Sequence, residues 1–320
     1  MRDMHKLAGT TYVESSFPGV TVGAVVTKAG IVCIDTPTRP SDARAWRSKL
    51  ASLSPKPILY VINTDHHRDR VLGNQWLEAP VIAHDWVGER MRLYPEILKS
   101  GGLDTGSDYE LMRELAGVRV IPPQITFSEE LILLKGDREI VVRHMPGASP
   151  GASWVMLPET GVVFTGDSVV MDTHPCLADA DFNVWAENLN ELRKTKFPAK
   201  TIVPGRGKTT DKAGVKRTQD YLKAARRRLE SIIKSNRSRM ELATVAGELL
   251  KQFPVPDAQR DVVMRRVRAE LERWYDIQKG GDELPSFWGA LMFSNDERGA
   301  LAPRCRVRRS HVGVLTPLES

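Results

Sequence analysis

One stretch of the sequence gathers groups that do chemistry: Thr64-Asp65-His66-His67-Arg68-Asp69-Arg70. Carboxylates and neutral imidazoles ligate divalent cations, and a cation so held lowers the pKa of bound water and supplies a nucleophile. Arg70 cannot take that part, because a guanidinium stays protonated and has no lone pair to give. It can instead grip a carboxylate or phosphate through two parallel hydrogen bonds. Further on, Phe164-Thr165-Gly166-Asp167, Thr173-His174-Pro175 and Val203-Pro204-Gly205-Arg206-Gly207 bring another carboxylate, imidazole and guanidinium. Metal-assisted hydrolysis and anion binding are the chemistries this set allows.

These residues follow β-rich runs. Residues 20–27 and 31–35, rich in Val and Ile and separated by Lys-Ala-Gly, read as a hairpin ending in Asp35. A helix is expected over 41–53 with Ser41 as N-cap, then strands over 58–63 and 81–83 and a helix from 85 to about 98. Gly101, Gly102, Gly106 and Ser107 mark 101–110 as a loop over one face. A second β-rich series, 131–135, 139–144, 153–157, 161–166 and 201–203, encloses a helix at 183–194. Two β-then-helix halves predict two packed sheets with helices outside.

The order of landmarks resembles the metallo-β-lactamase superfamily. Its members carry a His-x-His-x-Asp-His loop after a strand, a Pro-Gly-His-Thr turn, a strand-end Gly-Asp and a late Pro-Gly-His. Here the corresponding stretches are 65–70, Pro146-Gly147-Ala148-Ser149, Gly166-Asp167 and Pro204-Gly205-Arg206, with Asp35 matching the early strand-end Asp. The likeness spans roughly 20–207 and implies an α/β fold, a four-layer αββα sandwich with its site where the loops converge.

That resemblance implies one zinc at the positions of Asp65, His67 and Ala148, a second at Asp69, Arg70 and Arg206, and Asp167 as bridging carboxylate. Ala148 has no donor, and two guanidinium groups beside Asp69 and Asp167 repel a second cation. A single divalent ion, zinc, manganese or iron, remains an expectation at Asp65, His67 and Asp167, with His66 and His174 as further candidate donors. In that reading Asp69 orients or deprotonates water, while Arg70 and Arg206 grip a small anionic ester, thioester, lactone or amide. The competing reading is metal-free: Asp65 pairs with Arg70, and the two arginines bind an anion in a non-catalytic protein. His144, like Asp35, is read as structural near the site, and His84 as a buried, hydrogen-bonded histidine.

At the scale of the whole chain, 320 residues with 41% hydrophobic and 27% charged composition describe a globular protein. No apolar run reaches the ~20 residues of a membrane span. The first residues hold no apolar segment of a secretory signal. Cys33, Cys176 and Cys305 are too scattered for a disulfide framework, so a cytoplasmic setting is expected. The net charge of +6 is uneven: residues 211–320 hold 22 Lys plus Arg against 15 Asp plus Glu, leaving 24 against 25 before them. Helical patterns at 212–234, 240–253 and 257–279 carry this excess as an extension reaching 297. A tail over 298–320 is expected to be disordered. Nucleic-acid contact, including a nuclease role, would rest on that basic third alone. Its helices also carry the Leu, Ile and Val of a packed face, with no aromatic platform, which favours a solvated surface.

Overall fold

The Val- and Ile-rich runs pair into two sheets in the computed structural model, which describes residues 4–94, 114–115, 117–171, 173–253, 255 and 257–280. The first sheet takes its strands in chain order: β1 His5–Lys6, β2 Thr11–Glu14, β3 Val22–Val26, β4 Ile31–Ile34, β5 Ile58–Ile62, β6 Val81–His84 and β7 Ile125–Phe127. The second comprises β8 Glu130–Lys135, β9 Arg138–His144, β10 Ser153–Leu157, β11 Val162–Phe164 and β12 Thr201–Val203, in the order β12-β11-β10-β9-β8. The expected hairpin is present, with Val26 opposite Ile31. The short strands β1, β2 and β7 add to the sequence reading. They carry little periodicity and are held by their neighbours in the sheet.

Helices cover the outer faces. Helix α1 (Pro40–Leu53) lays Trp46 and Leu50 on the outside of the first sheet, among Ala24, Cys33 and Val61. It starts with Pro40 in its first turn and Arg39 as an N-cap without a side-chain bond, so Ser41 does not cap it. Proline's fixed φ and missing N–H suit that position. The one-turn helix α2 (Arg68–Val71) and α3 (Asp85–Arg92) follow β5 and β6. Helices α4 (Phe182–Arg193), α5 (Val215–Lys234), α6 (Leu242–Leu249) and α7 (Asp257–Gln278) gather on the second sheet.

Val32, Ile34, Ile62 and Ile82 of the first sheet meet Ile140, Val142, Val155 and Phe164 of the second in the central core. A second core runs without interruption from Trp154 and Ile202 through Trp185 and Leu189 to Tyr221, Leu222, Leu249 and Leu271. The helices beyond residue 210 therefore share their hydrophobic interior with the sandwich. The end of the helix expected to reach residue 98, the loop at 101–110 and the tail at 298–320 lie outside the described residues.

Strand direction places the chemistry. Strands β4, β5 and β6 run parallel, as do β11 and β12. Asp35 follows β4, Asp65 follows β5, Asp167 follows β11 and Arg206 follows β12, so the C-terminal strand ends carry the site, as is usual in sheets of this kind.

Candidate functional site

Backbone proximity makes the site possible. A Cβ on Gly205 would meet the Asp167 backbone nitrogen at 2.6 Å, so only glycine lets the β12 loop lie against the β11 loop. Asp35 itself sits at φ 56°, unusual for a residue with a side chain. That conformation is held because its Oδ1 accepts from the Thr64 backbone N–H at 2.8 Å and its Oδ2 from the Thr64 hydroxyl at 2.7 Å. Asp35 thus ties β4 to the start of the Asp65–Arg70 loop. Burial pushes its carboxyl up to about 7, against the pull of Arg70.

Arg70 lies at the centre, wholly buried. Its Nη2 donates to Asp167 Oδ1 at 2.5 Å, its Nη1 to Asp35 Oδ2 at 3.3 Å, and its Nε lies 3.0 Å from Asp65 Oδ1. Its backbone carbonyl accepts from the Thr36 hydroxyl and from Asn63 Nδ2, both at 3.0 Å. Arg206 closes the other side, its Nε and Nη2 holding the two oxygens of Asp167 at 3.1 and 2.9 Å, with Asp69 Oδ2 at 2.7 Å from Nη2. His67 Nδ1 completes the ring, 3.0 Å from Asp167 Oδ2 and 3.2 Å from Asp65 Oδ2.

The charges balance within this network. At Asp167, Asp65 and His67 burial opposes ionisation, yet the opposite charges prevail. Asp167 is held well below the carboxylate range by Arg206 and Arg70. Asp65 is lowered to about 2 by Arg70 and His67. Asp65 and Asp167 in turn hold His67 well above the usual imidazole range. Three carboxylates, Asp65, Asp69 and Asp167, thus face two guanidinium groups and one imidazolium. Asp65 pairs with Arg70, as the metal-free reading has it, and also lies beside His67, which bonds Asp167.

The metal question divides cleanly. A two-ion centre does not fit, because Ala148 offers no donor and both oxygens of Asp167 are taken by fixed cations. A one-ion site does have donors. Asp65, His66 and His67 each offer a ligand atom, all within 4.8 Å of one another. Asp65 Oδ2, His66 Nδ1 and His67 Nε2 are buried without a hydrogen-bond partner. His66 Nε2 lies 3.3 Å from Asp179 Oδ2, and Asp179 lies 3.4 Å from Arg273 on α7. Nothing in the spacing of 178–181 singles out Asp179. Its role comes from the loop leading into α4 folding back over the site.

Other sequence candidates lie apart. His174 is buried on the helical side, Nδ1 3.3 Å from the Tyr221 hydroxyl and the ring against Phe253. Arg266 holds its carbonyl, and burial lowers the ring to about 4. His144 stacks on His84 with ring centroids 3.8 Å apart, and its Nε2 donates to the Pro150 carbonyl at 2.7 Å, pinning the Pro146–Ser149 turn. Of the two arginines, Arg70 is enclosed and committed to carboxylates, so the expectation that it grips a dissolved anion is corrected. Arg206, with 22% of its side chain exposed, reaches solvent. A cavity of about 510 Å³ opens elsewhere, on the outer face of the second sheet beside Val141, Met156 and Phe197, and holds none of these groups.

Known proteins resemble this arrangement at the level of the fold. A metallo-beta-lactamase type 2 of Pseudomonas aeruginosa is 25% identical over 223 residues, covering 67% of this chain and 82% of that protein. A solved metallo-beta-lactamase family protein of Thermus thermophilus superposes with a TM-score of 0.59 at 19% identity, covering 85% of this chain and 94% of that one. The metallo-beta-lactamase of Pontibacter korlensis gives 0.53 at 20%, covering 69% and 98%. The sequence profile of the metallo-beta-lactamase superfamily matches residues 17–206, from before β3 to the arginine that closes the Asp167 network, and the chain belongs to that superfamily.

Proposed function

We propose that this chain is a hydrolase-like member of its superfamily that works with at most one metal ion, on a small anionic ester, thioester, lactone or amide. The observation that carries this reading is the saturation of Asp167. Arg70, Arg206 and His67 occupy both its oxygens, where a bridging carboxylate would need lone pairs for two ions. A bound ion would supply Lewis acidity and a water of lowered pKa. Asp69, with 24% of its side chain exposed and Oδ2 on Arg206, would orient or deprotonate a water at the mouth. The exposed side of Arg206 would hold a substrate carboxylate or phosphate.

Elemental analysis of purified, dialysed protein, run beside a panel of ester, thioester, lactone and amide substrates, tests this. One equivalent of zinc, manganese or iron with chelator-sensitive turnover is expected. Two equivalents would refute the single-ion reading. The charge balance of the network favours a second reading, a metal-free protein that binds an anion at Arg206 without turnover. In that case chelators leave the protein unchanged, and Arg206→Ala weakens binding of a small dicarboxylate.

A further inference from the structure

The geometry points to a single zinc-class cation held by Asp65, His66 and His67, with His66 taking the ligand role that the sequence pattern would give to Asp167. The inference rests on the single-ion reading above and specifies its ligands. His66 occupies a spacer position of the loop motif, between the two positions that resemble metal ligands, and is by sequence only a further candidate donor.

Each of the three side chains is anchored within the network and turns a donor atom toward the others. Asp65 Oδ1 accepts from the His67 backbone N–H at 2.7 Å and faces Arg70 Nε at 3.0 Å, while Oδ2 is ion-paired only with His67 Nδ1, at 3.2 Å. His66 directs Nε2 to Asp179 at 3.3 Å, leaving Nδ1 unpartnered. His67 directs Nδ1 to Asp167 at 3.0 Å and its ring also faces Cys176, and since the network holds it as an imidazolium, an ion at Nε2 displaces the proton carried there. A carboxylate behind each imidazole is the arrangement that fixes tautomer and ring orientation in metal-binding histidines.

Burial makes the orphaned atoms informative. Asp65 and His66 are 0% and 3% exposed, and buried polar atoms without partners are rare because each forfeits its hydration. Edge-to-face packing of His66 on Trp86, centroids 4.7 Å apart, holds the ring in place. Two imidazoles and one carboxylate suit zinc, and three protein ligands leave a coordination position for water. Through Asp179 and Arg273, helix α7 would act as a positioning element for His66.

The test uses the full chain, stripped with chelator and titrated with zinc by calorimetry and with cobalt by visible absorption. Wild-type protein should bind one equivalent. His66→Gln should weaken binding at least ~10-fold, and Asp179→Asn should weaken it ~10- to 100-fold with stoichiometry retained, the range typical of such supporting carboxylates. X-ray absorption of the zinc-loaded wild type should report two imidazoles, which needs no variant to fold. One bound equivalent with one imidazole, or with unaltered affinity in a folded His66→Gln, overturns this site while the single-ion reading stands. Failure of zinc and cobalt to bind at all overturns both.

Discussion

At the residue scale the decisive fact is that Arg70 stands where a neutral ligand would be expected and cannot leave. Its guanidinium is buried among Asp35, Asp65 and Asp167, and each of those carboxylates depends on it. Removing one partner of a buried pair leaves an uncompensated charge, which costs about 3–5 kcal/mol. Asp167→Asn is therefore expected to lower stability by about that much, a fall measurable by urea denaturation. Loss of less than about 1 kcal/mol would mean the network is not holding the loops together. Conversely, the triple substitution Arg70→His, Arg206→His and Ala148→His supplies the missing neutral donors and removes two fixed cations. It is expected to raise zinc stoichiometry above that of the parent, checked by elemental analysis after dialysis.

At the element scale, the stacked pair of His84 and His144 joins β6 to β9 and braces the turn that begins at Pro146. Burial lowers His84 to about 4, with His144 beside it disfavouring charge further. The unfolded chain, with an ordinary imidazole value of 6.5, takes up the proton first. The contribution of His84 is thus fully present above pH 6.5 and is lost as pH falls towards 4. By linkage the loss amounts to about 2 kcal/mol at pH 5. Against wild type, His84→Gln should lose less urea-unfolding stability, by about that amount, between about pH 7 and pH 5. Most elements were legible in the sequence because their hydrophobic period is strong, as in β5, β10 and α5. The edge strand β1 and the three-residue β7 were not, since too few residues alternate for a pattern to show. The N-terminus of α1 was misplaced by about one or two residues because Pro40 fills the place a capping serine would have taken.

At the scale of the whole molecule, several basic side chains of the last third are paired with carboxylates of the same third, while its net excess stays at +7, 22 Lys plus Arg against 15 Asp plus Glu. Arg226 pairs with Glu230, Arg228 with Glu248, Arg239 with Glu272 and Asp276, Arg266 with Glu270 and Arg268 with Glu272. Pairing of this kind lowers the field available to a polyanion, so retention on heparin should be lost at moderate salt. Retention well above physiological ionic strength would favour a nucleic-acid role instead. The same helices bury Tyr221, Leu222, Leu249 and Leu271 against the sandwich. A chain ending at residue 210 would expose that core, and it should bind a hydrophobic dye and lose cooperative unfolding.

What the sequence determined by itself was the chemistry each position can carry. Alanine at 148 cannot donate, and arginine at 70 and 206 cannot ligate, wherever those residues lie. On those grounds the residues disfavour the superfamily's two-ion centre, and the order of the landmarks was enough to indicate the fold. Only the tertiary structure decided how the remaining groups share one another. Asp167 was expected to hold an ion and is given over to two guanidinium groups, while His66, only a further candidate donor by sequence, presents an unpartnered nitrogen beside Asp65 and His67. The reason is physical. Whether a carboxylate or imidazole has a lone pair to give depends on which donors reach it through space, and Asp179, Arg206 and Arg70 reach these residues from loops far apart in the chain.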